Sequence, residues 1–236
     1  MQETAAPGIG ILSWEIVPNL RYRAIRPELL DEAPEAEAVQ SLRDLVRINC
    51  RLGGHSILLG MLSRLVGRTD AFTFLDVGSG SGDAAALVRA NYAAAGAISL
   101  DRDFFHVSQG GGPRICGDAF TLPFPNGAVD LVHCSLFLHH FTDDQAVALL
   151  GEFRRVARRF VLVSDLERRL VPWGFIPATR WLFHWHPLTL HDAPVSVAAA
   201  FRADEMVALA ERAGLAGAEV RTHRPAFRLS LVAPVP

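Results

Sequence analysis

The sequence predicts an α/β fold in which a mostly parallel, doubly wound sheet carries helices on both faces. Two observations predict it. Short runs of β-forming residues alternate with segments whose apolar residues recur at helical spacing. In addition, the run at 72–77 passes through a glycine-rich turn directly into an alanine-rich helical segment, which is the local order of a strand–turn–helix unit.

The chain begins with a weakly patterned segment. Residues 1–34 contain several prolines, so we expect a tail or a segment laid over another surface. Apolar residues then recur at helical spacing from Glu35 to about Gly67. Gly53 and Gly54 interrupt this pattern before a second apolar helix over 57–66. The two helices form a cap that precedes the first core strand.

The core elements follow in alternation. Strands are expected near 72–77, 96–101, 113–117, 128–134 and 159–165. Helices are expected near 82–94, 143–157 and 203–214. Little chain lies between Asp101 and Cys116, and three consecutive glycines interrupt it, so the second crossover helix must be short. Two further strands, near 218–222 and 227–232, flank a His-Arg-Pro turn.

The composition bounds the class of protein. Half of the 236 residues are hydrophobic and a fifth are charged, which supports a buried core and argues against disorder. The net charge of −2 offers no basic face for nucleic acid. Three cysteines without a repeated spacing indicate reduced thiols in a cytoplasm, and no signal peptide is expected. The apolar runs are shorter than the ~20 residues that a membrane-spanning helix needs.

The turn after the first core strand is the most informative motif. Gly78, Gly80 and Gly82 alternate, so side chains are missing where a ligand must approach the backbone. Asp83 occupies the last glycine position of the dinucleotide fingerprint, which therefore fails by one residue. A pyrophosphate would gain little from carboxylates beside it, whereas a cationic sulfonium cofactor tolerates Asp76 and Asp83 well.

Four further segments carry a resemblance to a known family. Residues 98–101 form a strand that ends in an acid, and residues 116–125 contain a Gly-Asp-Ala sequence. Residues 128–141 are expected to form the fourth strand with its loop, and residues 152–165 a helix end with the fifth strand. With these segments, the chain resembles class I S-adenosylmethionine-dependent methyltransferases, of the small-molecule type related to the ubiquinone and menaquinone biosynthesis enzymes. The resemblance covers residues 72–165 well and the flanks more loosely.

The resemblance implies a complete architecture. It is a Rossmann-like, doubly wound, seven-stranded and mostly parallel sheet with an antiparallel C-terminal edge hairpin, an N-terminal helical cap and an aromatic lid inserted after strand five. We expect a single domain over 1–236. Its parts are the tail and cap at 1–68, the cofactor-binding core at 69–168, the substrate lid at 169–200, and the C-terminal helix and hairpin at 201–236. In such enzymes the cap closes over the cofactor, although it could equally only cover the sheet.

The implied cofactor is S-adenosyl-L-methionine. Asp101 is expected to accept hydrogen bonds from both ribose hydroxyls, because an ionised carboxylate has two acceptor oxygens. Asp118 would accept the adenine amino group, and Ala119 would offer its backbone N–H. The predicted cofactor-binding residues are Asp76, Gly78, Ser79, Gly80, Gly82, Asp101, Arg102, Asp118, Ala119 and Cys134.

The candidate catalytic residues follow strands four and five on the ligand edge. His139 and His140 titrate near neutral pH and could serve as a base for a phenolic or enolic acceptor, with His140 preferred. Alternatively, the pair only packs within its loop. Asp165 could orient a histidine or an acceptor hydroxyl, or it could cap the next helix. His133 lies inside a strand pattern and is expected to be a core or edge residue.

The segment 171–187 interrupts the alternation after strand five and holds three of the four tryptophans. An aromatic wall there suits an aromatic or lipid-like acceptor, and Trp181 and His191 are the predicted substrate-pocket residues. A homodimer surface and a peripheral membrane contact are the competing interpretations. His184 and His186 also lie here, but Pro187 and the aromatic residues between them do not match any known spacing of metal ligands, so no metal site is expected.

The predicted function is O- or C-methylation of an aromatic, polyketide or phenolic-lipid-like small molecule, as in secondary metabolism. Three alternatives stay open. The fold could serve as a catalytically degenerate scaffold, which the intact glycines and Asp101 argue against. It could methylate nucleic acid, but the Pro-Pro-aromatic and Pro-Cys signatures are missing from 134–140. A nicotinamide dehydrogenase is weakened by Asp83.

Overall fold

The computed structural model describes residues 19–236. Its core is a seven-stranded sheet of order β3-β2-β1-β4-β5-β7-β6. The strands are β1 (Phe72–Val77), β2 (Ala95–Asp101), β3 (Arg114–Cys116), β4 (Val129–Ser135), β5 (Ala157–Leu166), β6 (Glu219–His223) and β7 (Arg228–Pro234). The first five strands run parallel, and β7 lies antiparallel between β5 and β6. The predicted fold class is confirmed, and the strands lie within two residues of their predicted ends.

Nine α-helices are present in the described residues. They are α1 (Glu35–Arg51), α2 (Gly54–Leu65), α3 (Asp83–Asn91), α4 (Phe104–Ser108), α5 (Asp143–Val156), α6 (Leu170–Ala178), α7 (Arg180–Phe183), α8 (Pro187–Ala199) and α9 (Ala203–Arg212). The crossover helix α4 has only five residues, as the short spacing requires. None of the helices between residues 19 and 236 combines the length and apolarity needed to cross a bilayer.

The central strands are buried because helices cover both of their faces. Phe74, Leu131 and Leu162 belong to the core shared with α2 and α3. The next residue along β1, Leu75, points to the other face and packs with Phe153 of α5. Side chains alternate along a strand, so each parallel strand must be apolar on both sides. The parallel strands therefore present their carboxyl ends, and not their faces, to a ligand.

Local sequence explains where α5 begins. The Thr142 hydroxyl accepts the Gln145 backbone N–H at 3.3 Å, and the Gln145 side-chain oxygen accepts the Thr142 backbone N–H at 3.0 Å. This reciprocal capping box satisfies two N–H groups that would otherwise lack partners in the first turn. It fixes the end of the loop that carries His139 and His140, which form a short 3₁₀ turn with Leu138.

The segment after β5 is helical, a feature that the aromatic pattern did not predict. Helices α6, α7 and α8 fill it, with Pro177 and Pro194 inside α6 and α8. Trp185 is 6% exposed, and its indole N–H donates to the Thr179 hydroxyl at 3.1 Å. Trp185 therefore anchors the segment to the cap, where the Arg47 guanidinium lies 5.0 Å from its ring.

In the N-terminal region, the start of the second cap helix needs correction, and residues 19–33 agree with the alternative of a segment laid over another surface. Helix α2 starts at Gly54 rather than at Ile57, because Gly53 adopts a left-handed conformation and ends the preceding turn. Residues 29–32 form a 3₁₀ turn, so this stretch is not a simple tail. The Ala24 N–H donates to the Ala198 carbonyl at 3.0 Å, which places the stretch over α8. The expectation for residues 1–18 lies outside the described residues.

Candidate active site

The glycine turn between β1 and α3 is shaped by close contacts. Gly78, Gly80 and Gly82 have φ values of 65°, 51° and 73°, in the left-handed region that favours glycine. A Cβ on Gly78 would lie 2.2 Å from the Phe137 ring, and a Cβ on Gly82 would lie 2.7 Å from the Ser99 hydroxyl oxygen. No other residue type fits at Gly78 or Gly82 without movement of the neighbouring groups.

Asp101, at the end of β2, lies directly at this turn. One carboxylate oxygen accepts the Gly80 N–H at 2.7 Å, and the other accepts the Asp103 N–H at 3.0 Å. Each oxygen keeps a further lone pair for a ligand hydroxyl. The turn and the acid thus form a cradle of bare backbone beside a fixed carboxylate, which fits the sugar of a nucleoside cofactor.

The remaining predicted cofactor residues lie at the ends of β1, β3 and β4. The Cys116 thiol donates to the Arg102 carbonyl at 3.3 Å, which joins the ends of β3 and β2. The exposed Asp118 carboxylate accepts the Phe120 N–H at 2.9 Å, and Ala119 is buried. Ser79 is buried and its N–H donates to the Leu100 carbonyl.

Asp76 is engaged within the sheet. Its carboxylate lies 2.8 Å from His133 Nδ1, and both side chains are buried. Burial raises the pKa of Asp76, and the hydrogen bond from His133 offsets this only in part. Burial, with the charges of Asp165 and Asp76, also raises the pKa of the Cys134 thiol well above its ordinary value. Cys134 therefore stays a neutral thiol. The Asp76–His133 pair was not predicted from the sequence, although the two residues lie on adjacent strands.

A buried row of ionisable side chains lies at the ends of β4 and β5. His139 Nδ1 lies 2.6 Å from an Asp165 oxygen, and the His139 backbone N–H donates to the other oxygen at 3.3 Å. On its far side, His139 Nε2 lies 3.5 Å from Glu28, an ion-pair distance that is long for a hydrogen bond. Asp165 thus orients a histidine, as one of its predicted alternatives required, and does not cap a helix.

The protonation states of His139, Glu28 and Asp165 are set by one another. Burial alone would lower the pKa of His139, but Asp165 and Glu28 raise it to about 10. Burial would raise the pKa of Glu28, but its contact with His139 and the charges of both histidines lower it to about 2. The pKa of Asp165 is also lowered, because His139 outweighs burial. At neutral pH, His139 is therefore an imidazolium between two carboxylates.

His140 has a different character. Its ring stacks on His139 with centroids 4.4 Å apart, and 27% of its side chain is exposed. Burial and the charge of His139 lower the pKa of His140, so it stays neutral at pH 7. A neutral imidazole at an accessible position can accept a proton. The two adjacent histidines are thereby held in opposite protonation states.

Glu28 is the main site residue that sequence reasoning missed. The Asp192 carboxylate accepts the N–H groups of Leu29 and Leu30 at 2.9 and 3.0 Å, which fixes the turn after Glu28. The Ser196 hydroxyl donates to the Glu28 carboxylate. In the sequence, Glu28 lies in a Pro-Glu-Leu-Leu-Asp segment that carries no chemical motif by itself.

Arg23 ties the same N-terminal segment to the histidine loop. Its guanidinium donates to the carbonyls of His139 and Phe141 at 3.2 and 2.9 Å, and its Nε donates to the Ala199 carbonyl at 2.8 Å. It also lies 3.6 Å from the centre of the Phe201 ring. Residues 19–33 therefore act as a strap across the site, a name kept for this segment below.

The two predicted substrate-pocket residues have different surroundings. His191 Nδ1 lies 2.8 Å from Asp192, so His191 supports the residue that holds the strap. Trp181 is 79% exposed, and the Arg180 guanidinium lies 4.8 Å from its ring. In this structure Trp181 lies on the outer surface and not beside the histidines.

One cluster in the described residues has the spacing for a metal ion. Donor atoms of Glu28, His139 and His140 lie within 4.8 Å of one another. At neutral pH the His139 ring is protonated and paired with Asp165 and Glu28, so it has no lone pair to offer a metal ion. Within residues 19–236, the lid histidines His184, His186 and His191 do not form such a group with Asp192.

Comparisons with known proteins bear on both the core and the fold. Residues 75–160 match the family model described as a methyltransferase domain. An S-adenosylmethionine-dependent methyltransferase from Aquifex aeolicus is similar in structure, with a TM-score of 0.55 and 15% identity over 76% of this chain and 89% of that one. No curated protein matches the sequence.

Two further solved structures are similar. Magnesium protoporphyrin IX methyltransferase from Synechocystis, with bound S-adenosylmethionine, has a TM-score of 0.53 and 16% identity over 81% of this chain and 84% of that one. Human N-acetylserotonin methyltransferase has a TM-score of 0.61 and 17% identity over 86% of this chain and 56% of that one. At such identities the likeness shows the fold.

Proposed function

With a methyltransferase domain over 75–160 and the predicted doubly wound sheet, the chain is a class I S-adenosylmethionine-dependent methyltransferase, and we propose that it methylates a small molecule at a hydroxyl oxygen or an acidic carbon. The predicted enzyme class and cofactor are thereby confirmed. The proposal concerns the acceptor and the residues that act on it.

One observation carries the proposal: a neutral His140 is stacked on a cationic, carboxylate-bound His139. The cofactor, when bound, supplies a methyl group on a sulfonium, which is already an activated electrophile. The protein must then orient the acceptor and remove its proton, because a phenol of pKa ~10 is mostly protonated at neutral pH. The neutral imidazole of His140 takes that proton, and His139 positions His140 rather than acting on the acceptor.

The surroundings of the histidines favour an aromatic acceptor. Phe137 and Phe141 pack edge to face with centroids 5.0 Å apart, and Phe141 packs likewise on Phe120 at 5.5 Å. These rings follow β3 and β4, next to the glycine turn, and would give an aromatic, polyketide or phenolic-lipid-like molecule apolar contact. The strap and α8 cover the site, which supports a small acceptor over a nucleic acid.

Two finer points belong to the same proposal. The three cysteines are free thiols, which supports a reducing cytoplasm. Leu170, Val171, Trp181 and Leu182 are exposed, which supports a homodimer or membrane surface for the lid rather than a pocket wall. The kinship to ubiquinone and menaquinone enzymes stays a sequence prediction.

The proposal is tested by methyl transfer from S-adenosylmethionine carrying a labelled methyl group to a panel of phenols. We expect His140→Gln to lower kcat ~100- to 10,000-fold for a phenol of pKa ~10, and far less for a phenol that ionises near pH 7 without help. His184→Gln, on the exposed lid, is the matched control. An equal loss for both phenols would remove His140 as the base. Cofactor binding without transfer to any small molecule would favour a scaffold.

A further inference from the structure

Arg228 is a buried cation with an unused donor. It lies at the start of β7 opposite Leu166 and is 1% exposed. Its Nη2 donates to the Asn49 side-chain oxygen at 2.9 Å, whereas its Nη1 is buried without a hydrogen-bond partner among residues 19–236. Burial lowers the pKa of Arg228 to about 10, so the guanidinium is still charged at neutral pH. A buried charge with a free donor is strongly unfavourable unless an anion meets it.

The free donor faces the first turn of α2. A Cβ on Gly54, the first residue of this twelve-residue helix, would lie 3.2 Å from Arg228 Nη1. The N-cap is Gly53, which supplies no side-chain oxygen for the helix N–H groups. The positive end of a helix and a guanidinium therefore meet at one place.

The nearby carboxylates do not satisfy this site. Asp83 and Asp165 act on Arg228 through their charges, but neither forms a hydrogen bond with it. Asp165 is engaged by His139. Asp83 accepts the Asn49 side-chain N–H at 3.0 Å and lies 2.8 Å from His55 Nε2. An additional anion is the chemistry that the site lacks.

The site lies beside the cofactor cradle. Asp83 is the first residue of α3, immediately after Gly82 of the glycine turn. Asn49 contacts both Asp83 and Arg228, so a single side chain separates the guanidinium from the end of this turn. The cofactor of a methyltransferase carries a nucleoside and an amino acid, and Asp101 at the other side of the turn suits the sugar.

We propose that Arg228 Nη1 and the first turn of α2 bind the α-carboxylate of the cofactor's amino-acid part. The proposal rests on the use of S-adenosylmethionine. It gives the helical cap a ligand-binding role, because the carboxylate would join α2 to β7 and to the glycine turn. Gly53 and Gly54 are required there for a separate reason, because a side chain at these positions would meet Ala226 and Asn49 at 2.7 Å.

The test compares two ligands by calorimetry. S-adenosylhomocysteine has the carboxylate, and 5′-methylthioadenosine keeps the nucleoside and thioether but lacks the amino acid. We expect Arg228→Met to raise the Kd for S-adenosylhomocysteine ~10- to 100-fold, which is the range for a lost charge-assisted hydrogen bond, with the Kd for methylthioadenosine unchanged. Arg224→Met, at an exposed arginine four residues earlier, should change neither.

Two measurements separate the ways in which the idea could fail. If Arg228→Met does not fold, the decarboxylated analogue of S-adenosylhomocysteine is titrated against the unaltered protein and should bind ~10- to 100-fold more weakly than the parent. Equal affinities there, or equal losses for both ligands in Arg228→Met, would overturn the role of Arg228. If the unaltered protein binds none of these ligands, the cofactor assignment itself fails.

Discussion

Replacing Asp165 by Asn removes the charge that keeps His139 protonated. In the native protein His139 has a pKa of about 10, against 6.5 for an unperturbed histidine. One pKa unit corresponds to about 1.4 kcal/mol, and breaking a buried ion pair costs about 3–5 kcal/mol. We therefore expect Asp165→Asn to lower the free energy of unfolding by about 3–4 kcal/mol at pH 6.

The sign of the pH dependence follows from the raised pKa of His139. Its stabilisation is fully present below pH 6.5 and is lost as the pH rises toward 10. At pH 9 about 1 kcal/mol of it should remain, so the difference between native protein and variant must shrink as the pH rises. The lowered pKa of Glu28 acts in the opposite direction, but only as the pH falls from 4.5 toward 2.

Urea unfolding of both proteins at pH 6, 7.5 and 9 measures this difference. Asp144→Asn is the control, because Asp144 pairs with Arg212 on the surface with 89% of its side chain exposed. Such a pair should change stability by less than about 1 kcal/mol at every pH. A loss for Asp165→Asn that is the same at pH 6 and pH 9 would show that His139 is not charged in the folded protein.

Three further outcomes are expected. Asp192→Asn should weaken the hydrogen bonds to the Leu29 and Leu30 N–H groups and raise the KM for the acceptor ~10-fold, which corresponds to a net loss of ~1.4 kcal/mol. Calorimetry should show an unchanged Kd for S-adenosylhomocysteine, and a changed Kd would contradict this prediction. Gly78→Ala should abolish cofactor binding in the same assay, because its Cβ would overlap the Phe137 ring, and retained affinity would show that the loop adapts without loss. Methyl transfer should survive dialysis against a chelator, because the protonated His139 ring of the Glu28–His139–His140 cluster has no lone pair to offer a metal ion; a loss restored by a divalent metal would reveal a metal site.

Local patterns predicted the elements whose identity depends on neighbouring residues. The strand β1 and its glycine turn were predicted correctly because a buried apolar run and a left-handed backbone leave direct marks on the sequence. The five-residue α4 followed from the short spacing before β3. In contrast, the helices α6 to α8 were not predicted, because prolines and a nearly uniform apolar composition hide the helical period.

Some features of the candidate site were likewise predictable from the sequence, and others were seen only in the folded structure. His139, His140 and Asp165 were expected at one edge because parallel strands place their carboxyl ends together. Whether Asp165 orients a histidine or caps a helix was open until the 2.6 Å contact with His139 was seen. Trp181 looked like a pocket residue by its type, but the packing of Trp185 into the cap turns Trp181 outward.

The sequence by itself determined the class of enzyme, the sheet and the glycine turn that is predicted to receive the cofactor, because these depend on short-range spacing along the chain. Only the tertiary structure decided that Glu28 meets His139 and that Arg228 keeps a donor free beside α2. Those contacts join segments far apart in the chain, and no periodicity records them. Their protonation states depend on burial and on charges from other elements, which exist only once the chain has folded.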